Sequence, residues 1–272
     1  MSSLTMYCID LFNEDYQKIK SLGYTPVGLG NETFSPDWLR DNTGDNISKK
    51  NSSYGELTFH YWLWKNKLKE IDDNDWIGFC AYRRFWGQNS DKFTINSKKD
   101  FLNKIPNSWD EQSVILGNEI YMDGWTTMKI IKHGFKSIIN NPRFLIKKNR
   151  NLKFHFDSFH GFGNLDKAIN LLEENDRDDF KKFMESRNGY NRGNMFICKS
   201  KKIMIEYYKS IFPWLERCEK IFDNVASSSK DYGTKRIYAF LAERYMSYWF
   251  NKYSKVTTWP IIFYNLNQNK ID

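Results

Sequence analysis

The residues best suited to bind an anion lie in a polar loop that runs into an aromatic-rich segment. Ser53 and Glu56, at the end of that loop, have the spacing of a capping box and predict that a helix begins there. The N-terminus of a helix presents unpaired N–H groups and the positive end of its dipole, so the loop could hold a nucleotide pyrophosphate. An ordinary capped surface helix after a turn is the alternative, because Asp, Asn and Gly favour turns. The candidate side chains of this loop are Asp41, Asn42, Asp45, Asn46, Ser48 and Asn51.

A second set of chemical groups follows the apolar run 76–82, which has the composition of a strand buried on both faces. Arg83 and Arg84 come directly after this run. Arginine binds phosphate oxygens through two parallel N–H bonds and keeps its charge at physiological pH. The two arginines could therefore contact an anion, or they could pair with carboxylates such as Asp41 or Asp45. A metal ion on these two carboxylates is a further alternative, for which a single pair at loop spacing is weak evidence.

Short apolar runs alternate with segments of helical periodicity along the chain. This alternation predicts an α/β fold with a mainly parallel sheet flanked by helices, and further helices towards the C-terminus. No linker separates two independent domains, so we expect a single domain over residues 1–272. The predicted strands are Thr5–Asp10, Thr25–Gly28, Trp76–Ala81, Ser113–Leu116 and Asn194–Cys198, and the predicted helices are Glu14–Ser21, Ser53–Lys69, Leu165–Leu172, Arg177–Ser186, Lys201–Phe222 (broken or kinked near Pro213) and Thr234–Asn251.

Charge and composition narrow the class of partner. The formal net charge of +8 calls for an anionic partner, either nucleic acid, an anionic membrane surface or a phosphorylated substrate. Aromatic residues make up 17% of the chain, and most are expected in the core. The four cysteines form no C-x-x-C pair, so buried free thiols are expected. The chain shows neither a bilayer-spanning run nor a signal peptide, so a cytoplasmic protein is expected.

Five short motifs occur in order along the chain, and their number and spacing carry information together. The motifs are Asp41-Asn42-x-Gly44-Asp45-Asn46-Ile47-Ser48-x-x-Asn51, Glu56-Leu57-Thr58-x-x-Tyr61-Trp62-x-Trp64-Lys65-Asn66, Gly78-x-x-x-Tyr82-Arg83-Arg84-Phe85, Asn194-Met195-Phe196-Ile197 and Phe240-Leu241-Ala242-Glu243-Arg244. With this series, over roughly residues 5–250, the chain resembles a bacterial family of capsular-polysaccharide, exopolysaccharide and O-antigen glycosyltransferases, long catalogued as a domain of unknown function. The chain departs from the family pattern at Ala81, where a histidine is usual, and in 156–166, where a Tyr-x-x-x-His-x-x-x-Asp-Leu pattern is kept only loosely.

The resemblance implies a GT-A-like, Rossmann-like fold and transfer of a sugar from a nucleoside-diphosphate donor. Some members look like galactofuranosyltransferases that use UDP-galactofuranose. We expect a nucleotide-sugar-binding half over 1–120 and an acceptor-side half, with the C-terminal helices, over 121–272. Most GT-A enzymes hold a divalent metal on an Asp-x-Asp motif after a central strand, whereas this chain has Tyr82, Arg83 and Arg84 at the comparable position. We therefore expect no cofactor and metal-independent transfer, with these residues added to the donor-binding set; use of Mn²⁺ or Mg²⁺ is the alternative.

An acceptor hydroxyl needs a general base, and three residues are candidates. Glu243 lies on the last predicted helix, where an ion pair with Arg244 or Lys235 is the alternative role. Asp166 and His160 lie in the loosely kept middle motif, and an isolated histidine in an aromatic run is often structural. The predicted acceptor-side residues are Asn194, Arg236 and Arg244.

A basic stretch occupies the middle of the chain. It predicts contact with an anionic membrane surface or a lipid-diphosphate-linked acceptor, and so a place at the inner face of the cytoplasmic membrane. A solvated, lysine-rich surface is the alternative. The residues are Lys129, Lys132, Lys136, Arg143, Lys147, Lys148 and Arg150.

Two rival functions compete with glycosyl transfer. One is a basic nucleic-acid-binding module, suggested by positive charge with interleaved aromatics. The other is an enzyme of the same fold that transfers a phosphoryl-type group. Because no recognised nucleic-acid-binding signature occurs, the expected partners are a nucleotide-sugar donor and a glycan or lipid-linked glycan acceptor, without nucleic acid.

Overall fold

The computed structural model describes residues 2–30, 32–91, 94, 96–121, 127–228 and 231–266, with the backbone alone in 127–133 and 224–228. The chain forms two compact units. Unit 1 is made of Met1–Asn118, Asn194–Lys209 and Phe250–Asp272, and unit 2 of Glu119–Gly193 and Ser210–Trp249.

Unit 1 contains a nine-stranded sheet in the order β10-β6-β9-β4-β1-β2-β3, with β5 beside β4 and β11 beside β5. All its strands run in one direction except β5 and β9, so the sheet is mixed but mostly parallel. A short antiparallel pair, β7 with β8, belongs to unit 2. The strands are β1 (Leu4–Asp10), β2 (Thr25–Gly28), β3 (Leu39–Arg40), β4 (Trp76–Ala81), β5 (Arg84–Trp86), β6 (Val114–Gly117), β7 (Ile120–Tyr121), β8 (Gly189–Tyr190), β9 (Phe196–Cys198), β10 (Val256–Trp259) and β11 (Ile261–Phe263).

The core of unit 1 is built on β1 and β4, whose residues are almost all buried because both faces of the sheet are covered. Phe79 on β4 is fully buried, and its ring lies 5.0 Å from that of Phe196 and 6.0 Å from that of Tyr7.

The four cysteines are free and buried, as predicted. The predicted α/β class, with helices flanking a mostly parallel sheet, is confirmed.

The predicted helix Ser53–Lys69 is wrong as a single element. Gly55, with φ 57° and ψ −136°, interrupts it, because only glycine adopts this conformation at little cost. The Ser53 hydroxyl donates back to the Lys50 carbonyl, and Glu56 precedes the second helix without a side-chain cap, so the capping box does not form. The helices that precede β4 are α1 (Tyr16–Ser21), α2 (Asn51–Tyr54) and α3 (Leu57–Asn66).

The remaining helices extend or divide several predicted ones. Helix α8 continues through Pro213 without a break, whereas the predicted helix Thr234–Asn251 is divided into α9 and α10. Helix α5 falls where no helix was predicted, and the Asn151 side chain caps its start by accepting from the Phe154 N–H at 2.8 Å. The helices are α4 (Thr127–Asn140), α5 (Leu152–His160), α6 (Asn164–Ile169), α7 (Glu174–Ser186), α8 (Lys201–Ser228), α9 (Tyr232–Lys235) and α10 (Ile237–Tyr253). Within the described residues, none of the helices combines the length and hydropathy needed to cross a bilayer.

The packing of Phe79 gives a direct test of this core. Phe79→Ala should lower the free energy of unfolding by about 3–5 kcal/mol, because it removes a fully buried ring from between other aromatic rings. Phe162→Ala is the matched control, since Phe162 is 45% exposed and should cost less than about 1 kcal/mol. Denaturant titrations followed by circular dichroism measure both, and equal losses would contradict the assigned core.

Candidate functional site

The order of the strands reverses beside β1, and this places several polar residues at one edge of the sheet. The chain proceeds from β1 outwards to β2 and β3, then returns to β4 on the other side of β1. Ligands of open α/β sheets bind at such a reversal, beyond the carboxyl ends of the strands. The register pairs Asp10 with Gly28 and Ile9 with Ala81, and the Tyr82 N–H donates to the Ile9 carbonyl. The segments that begin at Asp10 and Tyr82 therefore leave the sheet side by side.

Asp10 is a buried carboxylate at this edge that sequence reasoning missed. Its Oδ1 accepts from the backbone N–H groups of Leu11 at 2.7 Å and Phe12 at 3.0 Å. Its Oδ2 is buried without a hydrogen-bond partner in the described part of the chain. Burial raises the pKa of Asp10 to about 6, the N–H of Phe12 opposes that rise, and the nearby Asp15 carboxylate adds to it. The sequence signal that could have identified Asp10 is the position of its carboxylate at the end of the predicted strand Thr5–Asp10.

Asp41 directly follows β3 and is also buried. Burial raises its pKa, while a hydrogen bond with the Thr58 hydroxyl and the charge of Arg40 act in the opposite direction. Its Oδ2 has no hydrogen-bond partner among the described residues. Buried polar atoms are nearly always hydrogen-bonded in native proteins, so an unpartnered oxygen at a strand end is a candidate ligand contact.

Thr43 and Asp45, further along this loop, are held by hydrogen bonds to side chains of α3. The Asn66 amide donates to the Asp45 carbonyl at 2.8 Å and accepts from the Asp45 N–H at 3.1 Å. The Tyr61 hydroxyl donates to Asp45 Oδ1 at 3.2 Å, and the Trp62 indole donates to the Thr43 hydroxyl at 3.1 Å. Gly44 is required here, because a Cβ would lie 2.2 Å from Asn66 Oδ1. The first two sequence motifs thus contact each other.

Other predicted donor-binding residues form hydrogen bonds within the loop. Asn46 Oδ1 accepts from the Ser48 N–H at 3.2 Å and from the Ser48 hydroxyl at 2.9 Å, which is the turn-forming role that the sequence left open. The Asn51 amide donates to the Gly55 carbonyl at 3.0 Å. Asn42 is exposed. Donor binding by these residues stays a prediction.

Asn194, predicted on the acceptor side, lies in unit 1. Its amide donates to Glu56 Oε1 at 2.9 Å, and its backbone adopts a φ of 46°, rare for a residue other than glycine. Strained backbone at such a position often accompanies function. Its role towards an acceptor stays a prediction.

Tyr82, Arg83 and Arg84 form the turn from β4 to β5 and the first position of β5. The Arg83 guanidinium donates to the Tyr82 hydroxyl at 2.5 Å and lies 4.7 Å from the centre of its ring, while Arg83 itself is exposed. The Tyr82 ring meets the ring of Phe12 edge to face at 5.5 Å. Arg84 is half-buried, and its Nε has no hydrogen-bond partner in the described residues. Neither arginine pairs with Asp41 or Asp45 in the part of the chain that the structure describes.

Unit 2 contains a buried cation among aromatic rings. Arg244 is almost fully buried, and its guanidinium lies 4.2 Å from the centre of the Tyr190 ring. It donates to Glu243 Oε2 at 3.1 Å, which is the ion pair that the sequence offered as the alternative role of Glu243. A second guanidinium nitrogen lies 3.3 Å from His155 Nδ1. Burial lowers the pKa of His155 well below its usual range, and the Arg244 charge lowers it further.

The other candidates of unit 2 differ in accessibility. His160 is buried, stacks on Phe240 with ring centres 4.2 Å apart, and has its Nδ1 3.1 Å from the Gly233 carbonyl. Burial lowers its pKa well below the usual value, and the Arg244 charge adds to the effect, so it is neutral. Asp166 is half exposed and pairs with Lys153 at 2.5 Å. Arg236 donates to the Tyr232 hydroxyl at 2.6 Å.

Within the described residues, no group of three or more His, Cys, Asp or Glu side chains lies together as a set of metal ligands. Asp41 is buried, and Asp45 is exposed and bonded to Tyr61. The expectation of metal-independent chemistry stays a prediction.

Comparison with known proteins adds a family and a fold. Residues 11–255 match the profile of a domain of unknown function, DUF4422. The chain belongs to this family. No curated protein matches this chain. Among solved structures, the apo form of the bifunctional glycosyltransferase WbbM is similar, with a TM-score of 0.68 and 23% sequence identity over 96% of this chain and 45% of that one.

The likeness to WbbM shows the fold, and this DUF4422 chain spans less than half of that protein's length. The mannosyltransferase Ktr4p from S. cerevisiae shares 11% identity over 91% of this chain and 62% of its own, at a TM-score of 0.26 that is too low to support an argument.

The unusual state of Asp10 in this DUF4422 chain predicts a dependence of stability on pH. Its pKa is raised from 3.8 to about 6 on folding, so the folded state loses stability as the pH rises through that interval. Relative to the Asp10→Asn variant, the native protein should lose on the order of 3 kcal/mol of unfolding free energy between pH 4 and pH 7. Denaturant titrations at several pH values measure this difference.

Asp37→Asn, which removes an exposed carboxylate of unit 1, is measured alongside as the control for loss of a surface charge. A pH-independent difference for Asp10→Asn would mean that folding does not shift the pKa of Asp10.

Proposed function

We propose that this DUF4422 chain is a glycosyltransferase that moves a sugar from a nucleoside-diphosphate donor to an acceptor hydroxyl. The proposed donor is UDP-linked, with UDP-galactofuranose the first sugar to test. The proposed acceptor is a growing capsular, exopolysaccharide or O-antigen glycan, or its lipid-linked form. The exposed Arg83 at the reversal of strand order, unpaired with any carboxylate in the described residues, carries the proposal. A fold like that of WbbM, a protein described as a bifunctional glycosyltransferase, supports the reaction class.

The chemistry of the leaving group explains why this arginine matters. As the glycosidic bond to the donor breaks, negative charge grows on the departing diphosphate, and a cation must stabilise it. Arg83 can donate two parallel N–H bonds to phosphate oxygens, and within the described residues it has no ion pair with a carboxylate that would have to break first. Its contact with the Tyr82 hydroxyl and ring orders the side chain before the donor arrives. Arg84, next along the chain, adds a second positive charge.

The nucleoside part of the donor is assigned to the carboxylates and loop at the same edge. Within the described residues, Asp41 and Asp10 each keep one oxygen without a protein partner, and such oxygens can accept hydrogen bonds from ribose hydroxyls. The clamp from Asn66 to Asp45 holds the loop in one conformation and so lowers the entropy cost of binding. These assignments rest on the geometry of unit 1 alone.

For the general base we propose Glu243, ahead of Asp166 and His160. Its carboxylate is held in place by Arg244 rather than by solvent, and its side chain keeps 12% exposure. His160 is almost fully buried and stacked on Phe240, so an acceptor has little access to it. Asp166 is already paired with Lys153, and its half-exposed carboxylate is less shielded from solvent than that of Glu243.

Nucleotide binding by Arg83 is tested by a thermal-shift screen with UDP, GDP, CDP and UDP-sugars, each in EDTA and in Mn²⁺. We expect UDP ligands to raise the melting temperature equally under both conditions. Arg83→Gln should weaken UDP binding about ten- to a hundredfold, because it removes a charge-assisted contact worth about 1.5–3 kcal/mol. Lys99→Gln, which removes an exposed charge elsewhere in unit 1, is the control and should bind UDP normally.

A UDP response that requires Mn²⁺ would refute metal-independent binding. A response unchanged by both Arg83→Gln and Arg84→Gln would refute the proposed donor site. Isothermal titration with UDP provides the affinities for both comparisons.

The choice of base gives a separate prediction. Glu243→Gln should lower the turnover number at least a hundredfold while leaving the UDP affinity unchanged, because a general base acts on the acceptor proton in the transition state. Glu173→Gln is the matched control, since Glu173 also pairs with an arginine in unit 2 but is 75% exposed. Turnover is measured with donor and acceptor saturating. A near-normal rate for Glu243→Gln would reassign the base, and Asp166→Asn in the same assay examines the next candidate.

A further inference from the structure

The middle of the chain is unusually poor in acidic residues. Residues 124–156 contain no Asp or Glu, while their Lys and Arg residues include Lys136, Arg143, Lys147 and Lys148, all exposed. None of these four cations forms an ion pair in the part of the chain that the structure describes. The side chains of Lys129 and Lys132 lie outside the described residues, and Arg150 is buried.

Large apolar side chains are exposed among these cations. Phe135 and Ile139 on α4 are 59% and 62% exposed, and Leu145 and Ile146 beyond its end are 49% and 53% exposed. Among the side chains of α4 that the structure describes, those of 134–140, the buried positions are Gly134 and Ser137. A Cβ on Gly134 would lie 2.7 Å from the Ser158 hydroxyl of α5. This part of the helix therefore approaches α5 closely at Gly134 and leaves Phe135 and Ile139 exposed.

The turn after α4 is held in one shape from beneath. The buried Arg150 guanidinium donates to the Phe144 carbonyl at 2.9 Å and to the Leu145 carbonyl at 3.1 Å. The Phe144 ring packs on Phe154 of α5 with centres 4.5 Å apart. Asn149 adds a hydrogen bond to the Arg143 carbonyl at 2.9 Å. Leu145 and Ile146 are thus presented outwards by a braced turn, with Lys147 and Lys148 immediately following.

We propose that this surface, defined by Phe135, Ile139, Leu145, Ile146, Lys147 and Lys148, docks on an anionic lipid bilayer. Apolar side chains enter the boundary between headgroups and acyl chains, while lysines contact lipid phosphates, and the two effects together suffice for stable peripheral binding. A nucleic acid would contact the cations but would leave the aliphatic side chains exposed to water. The segment 124–156 contributes no carboxylate of its own that would repel an anionic surface.

The test is co-sedimentation of the whole protein with vesicles of phosphatidylcholine alone or with 30% phosphatidylglycerol. The protein should sediment with the anionic vesicles, remain mostly in the supernatant with the neutral ones, and be released by high salt. The double variant Lys147→Gln/Lys148→Gln should reduce partition roughly 25-fold, since each lysine near an anionic surface contributes about a fivefold effect. Leu145→Ser/Ile146→Ser should reduce it by a similar factor or more.

Two control variants keep these outcomes specific. Lys181→Gln/Lys182→Gln removes an adjacent exposed lysine pair from α7, and Ile221→Ser removes an aliphatic residue with 48% exposure from α8. Both should sediment like the native protein, and melting temperatures confirm that all variants are folded. Native-like partition of both surface variants would overturn the proposal.

Binding to an oligonucleotide but not to anionic vesicles, unaffected by Leu145→Ser/Ile146→Ser, would also overturn it in favour of nucleic acid. No nucleotide sugar is present in the assay, so its outcome is independent of whether the chain transfers sugars.

Discussion

The parallel pairing of β1 with β4 is the constraint on which the rest of unit 1 depends. It aligns Leu4–Ile9 with Trp76–Ala81 across an intervening segment that has already formed β2 and β3. Because β1, β2, β3 and β4 are parallel, the residues that follow these four strands all leave the sheet at the same edge. A shift of the register by one residue would exchange the faces of β4 and separate the turn after Ala81 from Asp10. The candidate site is therefore a consequence of sheet topology.

Two carboxylates at that edge lie in environments that lower the stability of the folded protein. Asp10 and Asp41 are buried with one oxygen unpartnered in the described residues, and burial raises the pKa of both. A buried unpartnered oxygen costs about 1–3 kcal/mol. At the same edge of the sheet, Arg83 is an exposed cation that donates to the Tyr82 hydroxyl and forms no ion pair within the described residues. The proposed nucleotide-sugar donor, with hydroxyl donors and a diphosphate, would offer partners to both kinds of group.

In unit 2 the buried charged group is a cation. Arg244 is buried against the faces of Tyr190, Phe156 and Phe240, and Glu243 is its carboxylate partner. His155 is buried beside Arg244. Burial lowers the pKa of His155, and the positive charge of Arg244 lowers it further, so both effects favour the uncharged imidazole. On its surface, by contrast, the described part of α4 and the turn that follows it present cations next to large exposed apolar side chains.

The sequence by itself determined the α/β class and the central strands, because β1, β2 and β4 are short apolar runs with clear ends. It also identified the loop after β3 and the two arginines as chemically distinct. Only the tertiary structure decided that Gly55 divides the predicted helix, that β10 and β11 join the sheet, and that Asp10 lies beside Tyr82. Strand β10 (Val-Thr-Thr-Trp) joins the sheet by pairing with the distant β6, and Asp10 lies at the end of a strand that pairs with β4, more than 60 residues away. Local sequence patterns determine local conformation, whereas the burial of a side chain, its pKa and its neighbouring residues are set by contacts between residues remote in sequence.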